Sequence, residues 1–349
     1  FVEAQHGALG IDFFLEALRL EPRNSEALMA LAGVDASLGA AHAETLAQKD
    51  PNDAEAWNWL GKIRADAGDP LAAFEAFRRS AMGKPTTDAL YGMLDADPAR
   101  ALQVARDLTT DVDNDEVHGA VAKIALQGES MGEVLDAVLR AHASDPTDHE
   151  WLRAMVMLDP ARAVAVLEET VSEYAGDERD EVIGAHANAL RDLGQRDVAF
   201  ETYLEAHKLD KGDWEWQRGM ARADPARALE ILQAYKEEGD SDGDLMGAIG
   251  DAYAGIGRPD EAMRHYEEAL KNDGGNEWLA RMAQVDHEEA TTRIQAAIDA
   301  KPSEAELWFH LGQAHELAGR QAEATAAFTK ACEIEPRNIY YGAKLQKTR

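Results

Sequence analysis

Two stretches of this chain, 251 residues apart, repeat one pattern of large and small side chains. Residues 54–85 read AEAWNWLGKIRADAGDPLAAFEAFRRSAMGKP, and residues 305–336 read AELWFHLGQAHELAGRQAEATAAFTKACEIEP. Both carry W-x2-L-G, a second glycine seven residues later, A-x3-F-x2-(A/S), and a closing proline. In the first these are Trp57, Leu60, Gly61, Gly68, Ala73, Phe77, Ser80 and Pro85. In the second they are Trp308, Leu311, Gly312, Gly319, Ala324, Phe328, Ala331 and Pro336. The pattern prescribes two antiparallel helices. Gly61 and Ala73 let them approach closely, Gly68 takes a left-handed conformation that ends the first, and Pro85 cannot continue the second.

The pattern returns more loosely at 115–146, 180–211 and 243–274. The equivalent small residues Ala73, Val134, Ala199, Ala262 and Ala324 lie 61, 65, 63 and 62 residues apart. Between these long units lies a shorter hairpin, seen in 88–108, 150–170 and 215–235, with weaker copies at 26–46 and 277–297. An aspartate recurs at 35, 97, 159, 224 and 286. Followed by proline at 98, 160 and 225, it reads as an N-cap before a proline in the first helical position.

The long unit resembles the 34-residue tetratricopeptide repeat (TPR). The short unit resembles the same hairpin with its first helix cut to about two and a half turns. The resemblance implies an all-α, right-handed superhelical solenoid of antiparallel helix hairpins over 1–349. The expected long repeats are 1–22 (partial), 54–85, 115–146, 180–211, 243–274 and 305–336. The expected short hairpins are 25–49, 88–110, 149–175, 214–238 and 276–300, with 338–349 starting a further one. Both ends cut through repeats, so a longer parent protein is expected. That leaves the compartment open between the cytoplasm, which is favoured, and the periplasm.

Composition narrows the function. The chain holds 66 acidic and 35 basic residues, for a net charge of −31, which repels nucleic acid and anionic lipid. No apolar run approaches the roughly 20 residues of a membrane helix. The single cysteine, Cys332, excludes a disulfide framework and reads as a packed thiol. Eleven histidines form no HExxH, and His310 and His315 are five residues apart, off one helical face. Asp111, Asp113 and Asp115 begin like a calcium loop, but Glu116 stands at the loop glycine and Ala122 at the closing glutamate. Asp240, Asp242 and Asp244 fail similarly at Leu245. No nucleophile triad, phosphate loop or dinucleotide fingerprint occurs. The expectation is a protein that is not an enzyme, with no cofactor and no metal site.

In the family it resembles, first helices line a concave groove that holds peptides or partner helices. Helical spacing places Lys62, Lys123, Asn188, Asp251 and Gln313 there in long units, and Arg153, Arg218 and Arg222 in short ones. Arg191 lies one turn from Asn188. Lys123, Arg153, Asn188, Arg191, Arg218 and Arg222 are the expected partner-binding set, suited to an acidic peptide. The connections after short hairpins form an acidic edge with Asp111, Asp113, Asp177, Glu178, Asp240 and Asp242, suited to a basic partner or to solubility and helix capping alone. The expected function is a protein–protein interaction scaffold. The alternative is a rigid arm of a larger enzyme or envelope secretion or assembly complex.

Overall fold

The structure is a computed structural model that describes residues 2–110, 112, 114–127, 131–237, 242–273 and 277–348. Among these it holds helices and no strand. Backbone contacts group the chain into two compact units, 1–144 and 145–349, where the sequence suggested one array.

The first unit contains α1 (Val2–Leu20), α2 (Ser25–Val34), α3 (Ala36–Lys49), α4 (Ala54–Asp66), α5 (Pro70–Gly83), α6 (Thr87–Ala96), α7 (Pro98–Thr109), α8 (Asp115–Gln127) and α9 (Met131–Ser144). The second contains α10 (His149–Leu158), α11 (Pro160–Glu173), α12 (Arg179–Asp192), α13 (Arg196–Leu209), α14 (Trp214–Ala223), α15 (Pro225–Glu237) and α16 (Gly243–Gly255). It continues with α17 (Pro259–Asp273), α18 (Glu277–Met282), α19 (His287–Ala300), α20 (Ala305–Leu317), α21 (Gln321–Ile334) and α22 (Ile339–Thr348). Long and short hairpins alternate throughout: α4/α5, α8/α9, α12/α13, α16/α17 and α20/α21 are long, and the pairs between them are short.

The two hairpin types differ at one joint. In four long units the first helix ends on a glycine of positive φ, at Gly68, Gly194, Gly257 and Gly319 (71–79°). In short units one aspartate does both jobs. The Asp97 amide donates back to the Met93 carbonyl and closes α6, while its carboxylate accepts from the Arg100 amide and opens α7. Asp35, Asp159, Asp224 and Asp286 repeat this device, each in extended conformation. With no connecting residue left over, the first helix must be short.

The core follows the repeat pattern. A Cβ on Gly61 would lie 2.7 Å from the Phe77 ring, so glycine is what lets α4 meet α5. Gly250 and Tyr266 make the same fit in α16/α17. Trp151, Trp216 and Trp278, one in each of three short hairpins, are 3%, 1% and 0% exposed and fill the core.

In the second unit α10, α12, α14 and α16 pack on one another in turn, as do α18 and α20. The last helix, α22, packs on α21 and also on α10, where the unit begins. Tyr341 and Leu345 of α22 join Phe309 and Phe328 in one cluster. Ile339 and Ala343, on the opposite side of the helix, are also buried.

Candidate functional site

The first-helix face of the second unit carries a cluster of guanidinium groups around one carboxylate. Asp251 of α16 is buried, and its Oδ1 accepts a 2.8 Å hydrogen bond from the Tyr266 hydroxyl. Its Oδ2 accepts from Arg222 Nε at 3.2 Å, and Arg218 Nε stands 3.8 Å away. Burial alone would raise the Asp251 pKa. The Arg281, Arg222 and Arg218 charges and the Tyr266 hydroxyl outweigh it and hold the group down at about 2. The arginines pay in the opposite sense: burial, with like charge from Arg222 on Arg218 and from Arg281 on Arg222, brings Arg218 and Arg222 down to about 10. Arg281 is lowered too, by burial first. One carboxylate therefore under-neutralises the guanidiniums gathered around it.

Arg218 lies between two tryptophans, its guanidinium carbon 5.0 Å from the Trp214 ring centre and 4.7 Å from that of Trp278. Its Nε has no hydrogen-bond partner. One turn of the unit earlier, Asn188 Oδ1 accepts from the Tyr203 hydroxyl at 2.7 Å and from Arg191 at 3.0 Å. Arg191 also donates to the Tyr203 hydroxyl oxygen and pairs with Asp192 at 2.8 Å. The Arg191 and Arg222 side chains keep 21% and 31% of their surface exposed, against 7% for Arg218, so the cluster has an accessible side.

Of the sequence-predicted set, Asn188, Arg191, Arg218 and Arg222 come together here, through α12 and α14. Arg153 of α10 is exposed and pairs with Glu215. Lys123 is half-buried on α8 of the first unit. Arg281 was missed. It stands next to the end of α18, which stops at Met282 and tightens into i→i−3 turns, with Gln284 N donating to Arg281 O at 3.0 Å and Val285 N to Met282 O at 2.9 Å.

A second group of charges, with Asp180 buried and its neighbours half-buried, has the opposite character. Asp180, Glu181 and Asp213 each bring a carboxylate oxygen to within 4.8 Å of the others, an arrangement of atoms able to hold a cation. Trp216 Nε1 donates to Asp180 at 3.3 Å, and His149 Nε2 stands 3.2 Å from Glu181. Burial, aided by Asp213 and Asp180 and opposed by His149 and Arg153, pushes Glu181 up to about 7. Burial with Asp180 and Asp210 pushes Asp213 up to about 6.

On the expected acidic edge, Asp177 and Glu178 are exposed in the α11–α12 connection. Asp242 is exposed and caps α16, accepting from the Leu245 amide at 2.6 Å. Asp111, Asp113 and Asp240 lie outside the described residues.

Comparison with known proteins follows the repeat. A family model described as tetratricopeptide repeat matches residues 35–86 and 279–339, and a second of the same description matches 243–276. These segments contain the hairpins α4/α5, α16/α17 and α20/α21. The chain therefore carries tetratricopeptide repeats. The repeats indicate a scaffold for protein–protein interaction. Among curated proteins, the TPR chain is similar to the cytochrome c-type biogenesis protein CycH of Pseudomonas aeruginosa, 28% identical over 193 residues. The match covers 54% of this chain and 44% of that protein, so the chain spans less than half of the relative's length. Among solved structures, yeast Tom70 matches 99% of this chain and 94% of its own at 12% identity and a TM-score of 0.41. YrrB, described as a TPR protein with an unusual peptide-binding site, matches 53% and 97% at 18% identity and a TM-score of 0.27. No helix among the described residues is long and apolar enough to cross a membrane.

Proposed function

We propose that the chain is a non-catalytic scaffold whose second unit grips an acidic segment of a partner protein on its first-helix face. The observation that carries this is the under-neutralised guanidinium cluster. In a chain of net charge −31, Arg218, Arg222 and Arg281 are gathered about a single buried Asp251, and Arg191, paired with Asp192, acts on Arg222 from the neighbouring helix. A carboxylate placed between Arg191 and Arg222 relieves their mutual repulsion and accepts charge-assisted hydrogen bonds. The acidic surface elsewhere repels the same segment and so restricts it to this face.

Titrating a fluorescein-labelled Glu-rich peptide into the protein tests the reading. Binding is expected to weaken about tenfold or more in Arg222→Gln, and to weaken with salt in the unaltered protein. Circular dichroism checks that the variant remains helical. Affinity unchanged by both substitution and salt sinks the proposal.

The likeness to a longer cytochrome c-type biogenesis protein favours one second reading, an arm of an assembly complex in which this face holds another component. Co-purification of the full-length protein with its neighbours separates the two readings. The acidic edge, through Asp177, Glu178 and Asp242 together with Asp111, Asp113 and Asp240, is retained as a dock for a basic partner. Neutralising it should then reduce association without loss of helicity.

A further inference from the structure

We propose that the anionic group held by the arginine face is a phosphate monoester, carried as a dianion on a side chain of the partner's acidic segment. The inference rests on the proposed function and adds the chemical class of the anchoring group.

Placement of the arginines is the first ground. Arg218 and Arg222 stand one turn apart on α14, and their Nε atoms lie 3.8 and 3.2 Å from the same Asp251 oxygen. Helix register sets Arg281 beside them. α16 and α18 are separated by one helix of opposite sense and so run the same way. A Cβ on Gly247 of α16 would run into the Trp278 ring of α18, which fixes the level at which the two helices meet. Asp251 is four residues beyond Gly247 and Arg281 three beyond Trp278, so both come one turn further along the same contact. The Arg218 guanidinium, 4.7 Å from the centre of that Trp278 ring, ties α14 to this level. Arg191 arrives from the other side. It donates to the Tyr203 hydroxyl at 3.0 Å, and the Tyr203 ring fills the space over Gly219, one turn before Arg222.

Charge is the second ground. Arg191 is balanced by Asp192 at 2.8 Å. Among the described residues, Asp251 is the one carboxylate within ion-pairing distance of Arg218 and Arg222. Glu277 acts on Arg218 less strongly than Asp251 does. Half-buried Arg281 makes neither a hydrogen bond nor an ion pair among the described residues. Close pairing thus leaves two positive charges over. Buried Arg218 Nε lacks a hydrogen-bond partner, and Arg222 donates to Asp251 through Nε alone, so its terminal amino groups remain for a ligand. A single carboxylate would cancel one of the two charges. A phosphate monoester carries about −1.5 to −2 at pH 7 on three acceptor oxygens of one phosphorus, and cancels nearly both. Two glutamates bring as much charge, but on separate side chains that repel each other when drawn into one site. The net charge of −31 turns away nucleic acid and anionic lipid, which leaves a phosphorylated protein segment as the fitting carrier.

The probes are three fluorescein-labelled peptides of one Gly- and Glu-containing sequence, with phosphoserine, glutamate or serine at the central position. Anisotropy titrations at pH 7.5 use the full chain. The phosphoserine form is expected to bind about tenfold or more tighter than the glutamate form, with the serine form weakest. Arg281→Gln should remove most of that preference, and Arg281→Lys, which keeps the charge, should retain part of it. Circular dichroism checks that both variants remain helical, and the comparison of peptides on the unaltered protein decides the matter should either fail to fold. Inorganic phosphate, as competitor, should displace the phosphopeptide only about a hundredfold or more above the peptide's dissociation constant. Equal binding of the phosphoserine and glutamate forms overturns the inference and leaves the proposed function standing. Absence of binding by all three overturns both. Displacement by phosphate at the peptide's own dissociation constant overturns the assignment to a partner segment, since the free ion is then the ligand. A preference undiminished in Arg281→Gln overturns the placement of the phosphate at this cluster.

Discussion

Asp251 is a buried and Glu181 a half-buried carboxyl of the second unit, on α16 and α12, and their surroundings drive them in opposite directions. Three guanidiniums and a tyrosine hydroxyl surround Asp251 and hold its pKa at about 2. Glu181 meets two other carboxylates, opposed only by His149 and Arg153, and rises to about 7. Burial raises both pKa values, and Asp251 is the more buried of the two, so it is the positive charge around Asp251 that reverses the outcome there. At neutral pH the first site carries excess positive charge and suits an anion, while the second retains protons.

The largest expected effect breaks the first site. Asp251→Asn should cost about 3–5 kcal/mol, since it leaves buried Arg218 and the half-buried Arg222 and Arg281 without their carboxylate. Asp213→Asn should cost far less, because it removes a charge that its neighbours oppose. Urea denaturation at pH 7 measures both. Similar losses would erase the distinction between the two sites.

The next prediction uses pH, and the two sites contribute with opposite sign. Asp251 is depressed below its unfolded value of 3.8, so its contribution is present above pH 4 and is lost as pH falls toward 2. Glu181 is raised from 4.5 to about 7, so the folded state binds the proton more tightly than the unfolded state does. Its contribution is present below about pH 4.5 and is lost as pH rises through 7. Glu181→Gln should therefore stabilise the protein at pH 8 by about 3 kcal/mol and make little difference at pH 4. Denaturation midpoints at the two pH values give the test. A gain at pH 4 equal to that at pH 8 would assign the effect to packing.

The hairpin alternation was legible in the sequence because small and large residues must pair across each helical contact. Gly61 requires Phe77, and the joint aspartates require a short first helix. The arginine face was partly legible, since a helix of regular period fixes which residues share a side. That logic missed Arg281, which stands near the end of the six-residue α18 and acts on Asp251. One signal lay unused. Where the long unit has tyrosine instead of phenylalanine, at Tyr203 and Tyr266, the first helix offers an acceptor, Asn188 or Asp251, 15 residues earlier. Where it has Phe77, the equivalent residue is Lys62, which pairs with Asp88 at 2.7 Å. The acid cluster was not legible, because Asp180 looked like an ordinary acidic residue in a helix's first turn. Only the stacking of α14 on α12 brings Asp213 and Trp216 to it.

Arg153 gives the smallest expected effect and tests why Glu181 is not another Asp251. It pairs with Glu215 and lies near Glu181, yet its side chain is 51% exposed. Water screens such a charge, and an exposed pair contributes about 0–1 kcal/mol. The arginines around Asp251 act at close range within a buried cluster, where screening is weaker. Arg153→Ala should therefore cost less than about 1 kcal/mol at pH 7, and the cost should shrink further in high salt. Its one specific mark should be on Glu181, whose pKa should climb above about 7 as an opposing positive charge is removed. That climb is readable by carboxyl NMR titration. An unchanged Glu181 pKa would mean that Arg153 does not act on the acid cluster, whereas a loss of stability as large as that of Asp251→Asn would mean that Arg153 serves it as a buried counter-charge, and the contrast between the two sites would then be one of degree.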